Sequence, residues 1–251
     1  NATLNTIVVS HHQRVIVGVV FLFISILGTL GNGLVIFAVF ASTKLQTLSN
    51  AFVVNLSIAD LLTCLIIPWQ CAVILSPDDV FLISNWACGV IAGTTFISAQ
   101  SSLFTLASIG TYRFILLTDP MKHKMTRLHT AHFAIVLIAA TWIVPVLVNI
   151  VPHVIGVGRL GYNEKYHVCG AETSDSRTHE LEMAQTIGMY AVPLLIIVVS
   201  YAAIFVNLRN YTKHAIRRNS IKLSAQQAQM TEFKKYNRAV PPNPSDIGKF
   251  L

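Results

Sequence analysis

Asp60 is the only charged residue between Ala51 and Leu75, and Arg113 is the only one between Trp86 and Leu117. A carboxylate isolated in so apolar a run can ligate an ion, relay a proton, or make a polar contact between helices, with Asn32 as a partner. The residues by themselves leave these uses open. Arg113 stands four residues before its run ends, where a side chain reaching for the surface makes a plain anchor. Nine histidines raise metal or haem chemistry, notably His129 with His132 and His11 with His12. Neither pair has a matching pair at similar depth, so they read as polar residues near a surface and no metal site is expected. The four cysteines form no CxxC or Cys/His zinc spacing, and no GxSxG, HExxH, P-loop or GxGxxG motif occurs. No enzymatic activity is expected.

The elements that must hold these groups follow from composition. The chain has 251 residues, 53% hydrophobic and 12% charged, against roughly 25% charged in an ordinary soluble domain. Disorder, a disulfide-dense mini-protein and most soluble enzymes are excluded. Five runs reach the roughly 20 apolar residues a membrane helix needs: Val15 to Phe40, Ala51 to Leu75, Trp86 to Leu117, Ala131 to Pro152 and Met183 to Leu208. Membrane strands would be about half as long and alternating. The fold class is therefore all-α, an integral membrane bundle of five helices. Residues 1–14 form an outer N-terminus, 15–208 the membrane domain, and 209–251 a basic cytoplasmic segment expected to include disordered sequence. The first run is too long for a signal peptide, and the chain starts at Asn1, so it reads as a true span in a trimmed or partial chain. Pro68, Pro145, Pro152 and Pro193 should bend their spans and leave room for cavities.

Thirteen Lys and Arg follow the first and third spans or lie in the tail, against four on the other side. The positive-inside bias places Asn1 outside and the C-terminus in the cytoplasm of a multi-pass plasma-membrane protein. The Asn1-Ala2-Thr3 sequon is then exposed for glycosylation, whereas Asn55-Leu56-Ser57 lies in a span. Cys88 opens the third span at its outer end and Cys169 lies in the outer loop after the fourth, so an oxidising compartment should join them. Cys64 and Cys71 read as small packing residues. The +7 net charge sits in the tail, which suits the inner leaflet and gives nucleic acid no further support.

Taken together, the chain resembles the rhodopsin-like G-protein-coupled receptors through their first five helices. Gly31-Asn32 looks like the helix-one signature and Asn55-Leu56-Ser57-Ile58-Ala59-Asp60-Leu61 like that of helix two. Cys88 stands 25 residues before Arg113, Trp142 marks span four, and Pro193 precedes Tyr201 by eight residues in span five. The resemblance implies a sodium-site carboxylate at Asp60 with Ser102 beside it, an allosteric sodium ion, and no other cofactor. It implies that Arg113 engages a heterotrimeric G protein, that Tyr201 swings toward it, and that Pro120 and Met121 insert into the G-protein surface. The Cys88–Cys169 bond would be the family's outer disulfide. A receptor dimer is a further expected partner.

Two departures stand out. The acid that usually precedes the arginine is Tyr112, which removes a restraining ion pair and implies raised basal activity or lost coupling. No sixth or seventh apolar run follows Leu208, so a five-span form that modulates a full-length receptor without signalling alone is the alternative reading. A small transporter built on Asp60 and the histidines is a third. By family position Thr95, Phe96, Ala99, Gln185 and Met189 would line an extracellular ligand pocket. Thr95 occupies the place of the carboxylate that binds amines, which disfavours a typical monoamine. Five acids against three bases from His153 to Glu182 keep a basic peptide in view. The stretches Lys44 to Asn50 and Leu117 to Pro120 look similar to invertebrate orphan receptors near the melatonin group.

Overall fold

The computed structural model describes residues 10–76, 83–118, 131–172 and 176–239. Among them, five helices are long and apolar enough to cross a membrane. The first, α1 (His11–Ala41), starts at a capping box: Ser10 Oγ accepts from the Gln13 backbone, and Gln13 Oε1 accepts from the Ser10 backbone. This start precedes the expected boundary at 15 and brings Arg14 into the helix, where it is buried and donates to the Ser76 carbonyl 3.5 Å away at the end of α2. A 3₁₀ turn, Thr43–Leu45, leads to α2 (Leu48–Leu75), whose N-terminus is capped by Thr47. Helix α3 spans Asn85–Thr118 and α4 Ala131–Val154. Helix α4 closes with the Val157 N–H on the Pro152 carbonyl at 2.7 Å. Gly156 takes φ +80° there, a conformation open to residues without a Cβ.

Between α4 and the fifth span lies a hairpin. Strands β1 (Leu160–Asn163) and β2 (Val168–Ala171) pair antiparallel, with Tyr162 opposite Cys169. Asn163 Oδ1 accepts from the Lys165 and Tyr166 backbones, which shapes the turn. The fifth span is built from α5 (Ser176–Thr186), a π turn (Ile187–Ala191) and the start of α6 (Val192–Ala239). Pro193 has no N–H and its ring crowds the carbonyl four residues back, so the wider turn preceding it relieves a clash.

The helix prolines explain how the spans are joined. A proline deprives the carbonyl four residues earlier of its helical donor, and in hydrocarbon that group needs another. Pro68 frees the Cys64 carbonyl, which accepts from Ser25 Oγ of α1 at 2.7 Å. Pro152 frees the Val148 carbonyl, which accepts from Gln185 Nε2 of α5 at 2.9 Å. Neighbouring spans are thus stapled at the defects that bend them. Burial follows a membrane pattern: Gln100, Ser101, Thr105 and Asn149 are at most 2% exposed, whereas Phe37 and Phe40 are 70% exposed toward the position of lipid.

Two compact units are present, one through Tyr201 and one from Ala202. In the second, α6 continues as helix to Ala239, and the proline stretch Pro241 to Pro244, on which the expectation of disorder rested, lies outside the described residues. The helical stretch 209–239 contains neither Gly nor Pro and is rich in Ala, Gln, Lys and Arg, all good helix formers. Its described side chains from Lys222 to Tyr236 are exposed.

Candidate functional site

The end of the first unit expected to face outward is closed by covalent and polar ties. Cys88 and Cys169 form a disulfide across 81 residues, with Cα atoms 5.0 Å apart. Gln70 of α2 adds two hydrogen bonds to the same strand: its Nε2 donates to the Cys169 carbonyl at 2.9 Å and its Oε1 accepts from the Cys169 N–H at 3.1 Å. Asn85 at the start of α3 accepts from the Tyr162 N–H and donates to Glu172. The hairpin also lies against α3 closely enough that a Cβ on Gly89 would stand 2.8 Å from the Leu160 carbonyl.

Below the hairpin lies a cavity of about 240 Å³ between α3, α4 and the fifth span. Of the expected pocket residues, Phe96 and Gln185 line it. Thr95 turns its hydroxyl to the Ile91 carbonyl of its own helix at 2.8 Å, and neither it nor Ala99 is in the lining. Met189 is buried and lines a separate groove with Leu147 and Val151. The described cavity wall contains five polar residues outside the expected set: Gln100, His153, Glu182, Thr186 and Tyr190. Gln100 and Tyr190 belong to a network, in which Asn149 Nδ2 donates to Gln100 Oε1 at 2.6 Å and Tyr190 shares a hydrogen bond with Gln100. A polar residue recurring within apolar runs was the available signal; Gln100 and Asn149 both carried it.

Farther inward, Ser102 Oγ donates to Asp60 Oδ1 at 2.7 Å. Asn32 does not take this place, because its amide donates to the Gly28 carbonyl of its own helix at 3.0 Å. The hydroxyl and the second carboxylate oxygen are oxygen donors of the kind a hard cation takes, so the pair fits a sodium ion chemically. Beside it, Asn55 joins three helices. Its Nδ2 donates to Thr105 Oγ1 at 2.8 Å and Thr141 Oγ1 at 3.2 Å, while its Oδ1 accepts from Trp142 Nε1 at 2.8 Å.

At the inner end, Arg113 is exposed and Tyr112 is buried, with the Tyr112 ring 5.7 Å from that of Phe52 on α2. Consecutive helix residues point about 100° apart, so burying Tyr112 turns Arg113 outward. Tyr201 lies beside α3, where a Cβ on Gly110 would be 3.5 Å from its ring. Pro193 is fully buried next to the π turn. Asn1, Pro120 and Met121 lie outside the described residues.

Among known families, the 7 transmembrane receptor (rhodopsin family) model matches residues 31–238. The G-protein coupled receptor moody of Drosophila pseudoobscura pseudoobscura is 28% identical over 223 residues, covering 84% of this chain and 31% of the relative. The tyramine receptor Ser-2 of Caenorhabditis elegans is 26% identical over 191 residues, covering 76% and 40%. The crystal structure of squid rhodopsin superposes with a TM-score of 0.69 at 25% identity, covering 82% of this chain and 56% of that one. The chain therefore spans about a third of the moody relative and just over half of squid rhodopsin.

Proposed function

This chain belongs to the rhodopsin family of seven-transmembrane receptors, and on that footing we propose that it forms the ligand-binding and coupling part of a G-protein-coupled receptor. The observation that carries the reading is the path of α3. The helix lines the outer cavity at Phe96 and Gln100 and presents Arg113 to solvent at the other end, about 25 Å away by helical rise from Phe96. A ligand wedged against Phe96 can bias the position of a rigid rod whose far end meets the G protein.

In this reading the N-terminus is extracellular, which the charge bias supports and which glycosidase treatment of the chain tests at Asn1. In the same reading the ligand contacts Phe96 and Gln185 from the cavity, which Thr95, Ala99 and Met189 do not line. Thr95 offers no carboxylate, so the site does not hold a monoamine by an ion pair from α3. Asp60 and Ser102 would hold a sodium ion, which supplies positive charge to an otherwise isolated carboxylate. Arg113 and Tyr201 act at the G-protein face, with Pro120 and Met121 following on the inner loop.

The test is expression of the chain, together with any coding sequence that follows Leu251 in its transcript, and measurement of GDP–GTP exchange on heterotrimeric G proteins. Exchange should be present and should fall to background in Arg113→Ala at equal surface density. Exchange that persists in Arg113→Ala would overturn the coupling role.

A further inference from the structure

Among the described residues, Glu182 is the only Asp, Glu, Lys or Arg in the lining of the outer cavity. The other acids of the outer region are engaged or point elsewhere: Glu172 accepts from Asn85 at 2.8 Å, and Glu164 and Glu180 are exposed. Asp78, Asp79 and Asp175 lie outside the described residues. Glu182 itself is half-buried and has no ion-pair partner among the described residues. It stands on α5 one turn before Gln185, and the cavity lining also includes the rings of Phe96 on α3 and Tyr190 on the fifth span.

We propose that Glu182 is the counter-ion for a cationic group on the ligand, a primary ammonium or a guanidinium carried next to an aromatic or aliphatic body. The inference deepens the receptor reading and rests on the cavity being the ligand site. A carboxylate partly withdrawn from water attracts a cation more strongly than one at the surface. Aromatic faces favour the same charge. One of the two amide N–H groups of Gln185 donates to the Val148 carbonyl, and its amide oxygen can accept from a cation. The place left empty of charge by Thr95 on α3 is thereby supplied from the opposite wall, on the fifth span.

The experiment uses the full chain in lipid nanodiscs and two probes followed by fluorine NMR, 4-fluorophenethylammonium and its neutral counterpart 3-(4-fluorophenyl)propan-1-ol, with empty nanodiscs subtracted. Glu182→Gln should weaken the ammonium by about ten-fold or more, equivalent to about 1.4 kcal/mol, and leave the alcohol unchanged. Retained alcohol binding also shows that the variant is folded. Ammonium binding that is absent, or equal in Glu182→Gln and the unaltered chain, overturns the counter-ion. Phe96→Ala separates the two levels. If it weakens both probes while Glu182→Gln weakens neither, the cavity stands and the counter-ion falls; if it weakens neither, the cavity is not the site and both readings fall.

Discussion

Gln70 grips the backbone of Cys169 from both sides, donating to its carbonyl and accepting from its N–H. The outer hairpin is therefore anchored to α2 by hydrogen bonds as well as to α3 by the disulfide. Both Gln70 and Cys169 are buried, so neither backbone group has water to fall back on.

Gln70→Leu keeps the volume and removes both bonds. Leaving a buried donor and acceptor unpaired costs about 1–3 kcal/mol each before relaxation. The thermal midpoint should fall, and the Cys88–Cys169 bond should be reduced faster by dithiothreitol, read by maleimide mass-tagging. An unchanged reduction rate would show that the disulfide alone holds the hairpin.

Asn55 links α2, α3 and α4 through Thr105, Thr141 and Trp142. Trp142→Phe strands one acceptor, and Asn55→Ala loses every bond and strands the indole N–H. Each should destabilise the purified chain by about 1–2 kcal/mol. The double variant should cost less than the sum, because the two residues share one bond. Strict additivity in unfolding measurements would contradict the shared contact.

Sodium should stabilise the chain through Asp60. Binding to the native state alone raises the unfolding midpoint with ion concentration. Replacing potassium by sodium at constant ionic strength should raise the midpoint of the unaltered chain, leave Asp60→Asn unmoved, and have an intermediate effect on Ser102→Ala. Equal sodium responses in all three would remove the ion site.

Tyr112 packs on Phe52 where an acid would restrain Arg113. Tyr112→Asp should lower ligand-free nucleotide exchange per folded receptor, and Tyr112→Phe should leave it unchanged. The aspartate also replaces a buried ring, so folded protein should be scarcer and signalling must be normalised to surface density. Basal exchange that does not fall in Tyr112→Asp would refute the restraint argument.

The sequence by itself determined the spans, the disulfide partners and the Asp60 neighbourhood. Span length is a local property, since hydrocarbon thickness dictates how many apolar residues must follow one another. Five such helices are present among the described residues, and the expected limit at Leu75 coincides with the end of α2. Cys88 with Cys169 was legible because both cysteines fall on one side of the membrane by span order, and Ser102 beside Asp60 was implied by the family resemblance. The subfamily was not legible in the same way, and the melatonin-group likeness found in the short loop stretches gained no further support.

Tertiary structure decided which residues face inward. Thr95 and Phe96 are adjacent in sequence, yet only Phe96 reaches the cavity, because helix rotation sets the face and the hydroxyl of Thr95 is satisfied by its own backbone. In the fifth span the π turn Ile187–Ala191 contains Met189 and separates Gln185 from Pro193, so counting at 3.6 residues per turn from Pro193 loses its phase before reaching Gln185. Gln185 lines that cavity and Met189 does not. The carbonyls freed by Pro68 and Pro152 likewise found donors on other helices, Ser25 and Gln185. A proline announces that a carbonyl is orphaned, but only packing determines which neighbouring side chain comes close enough to pair with it.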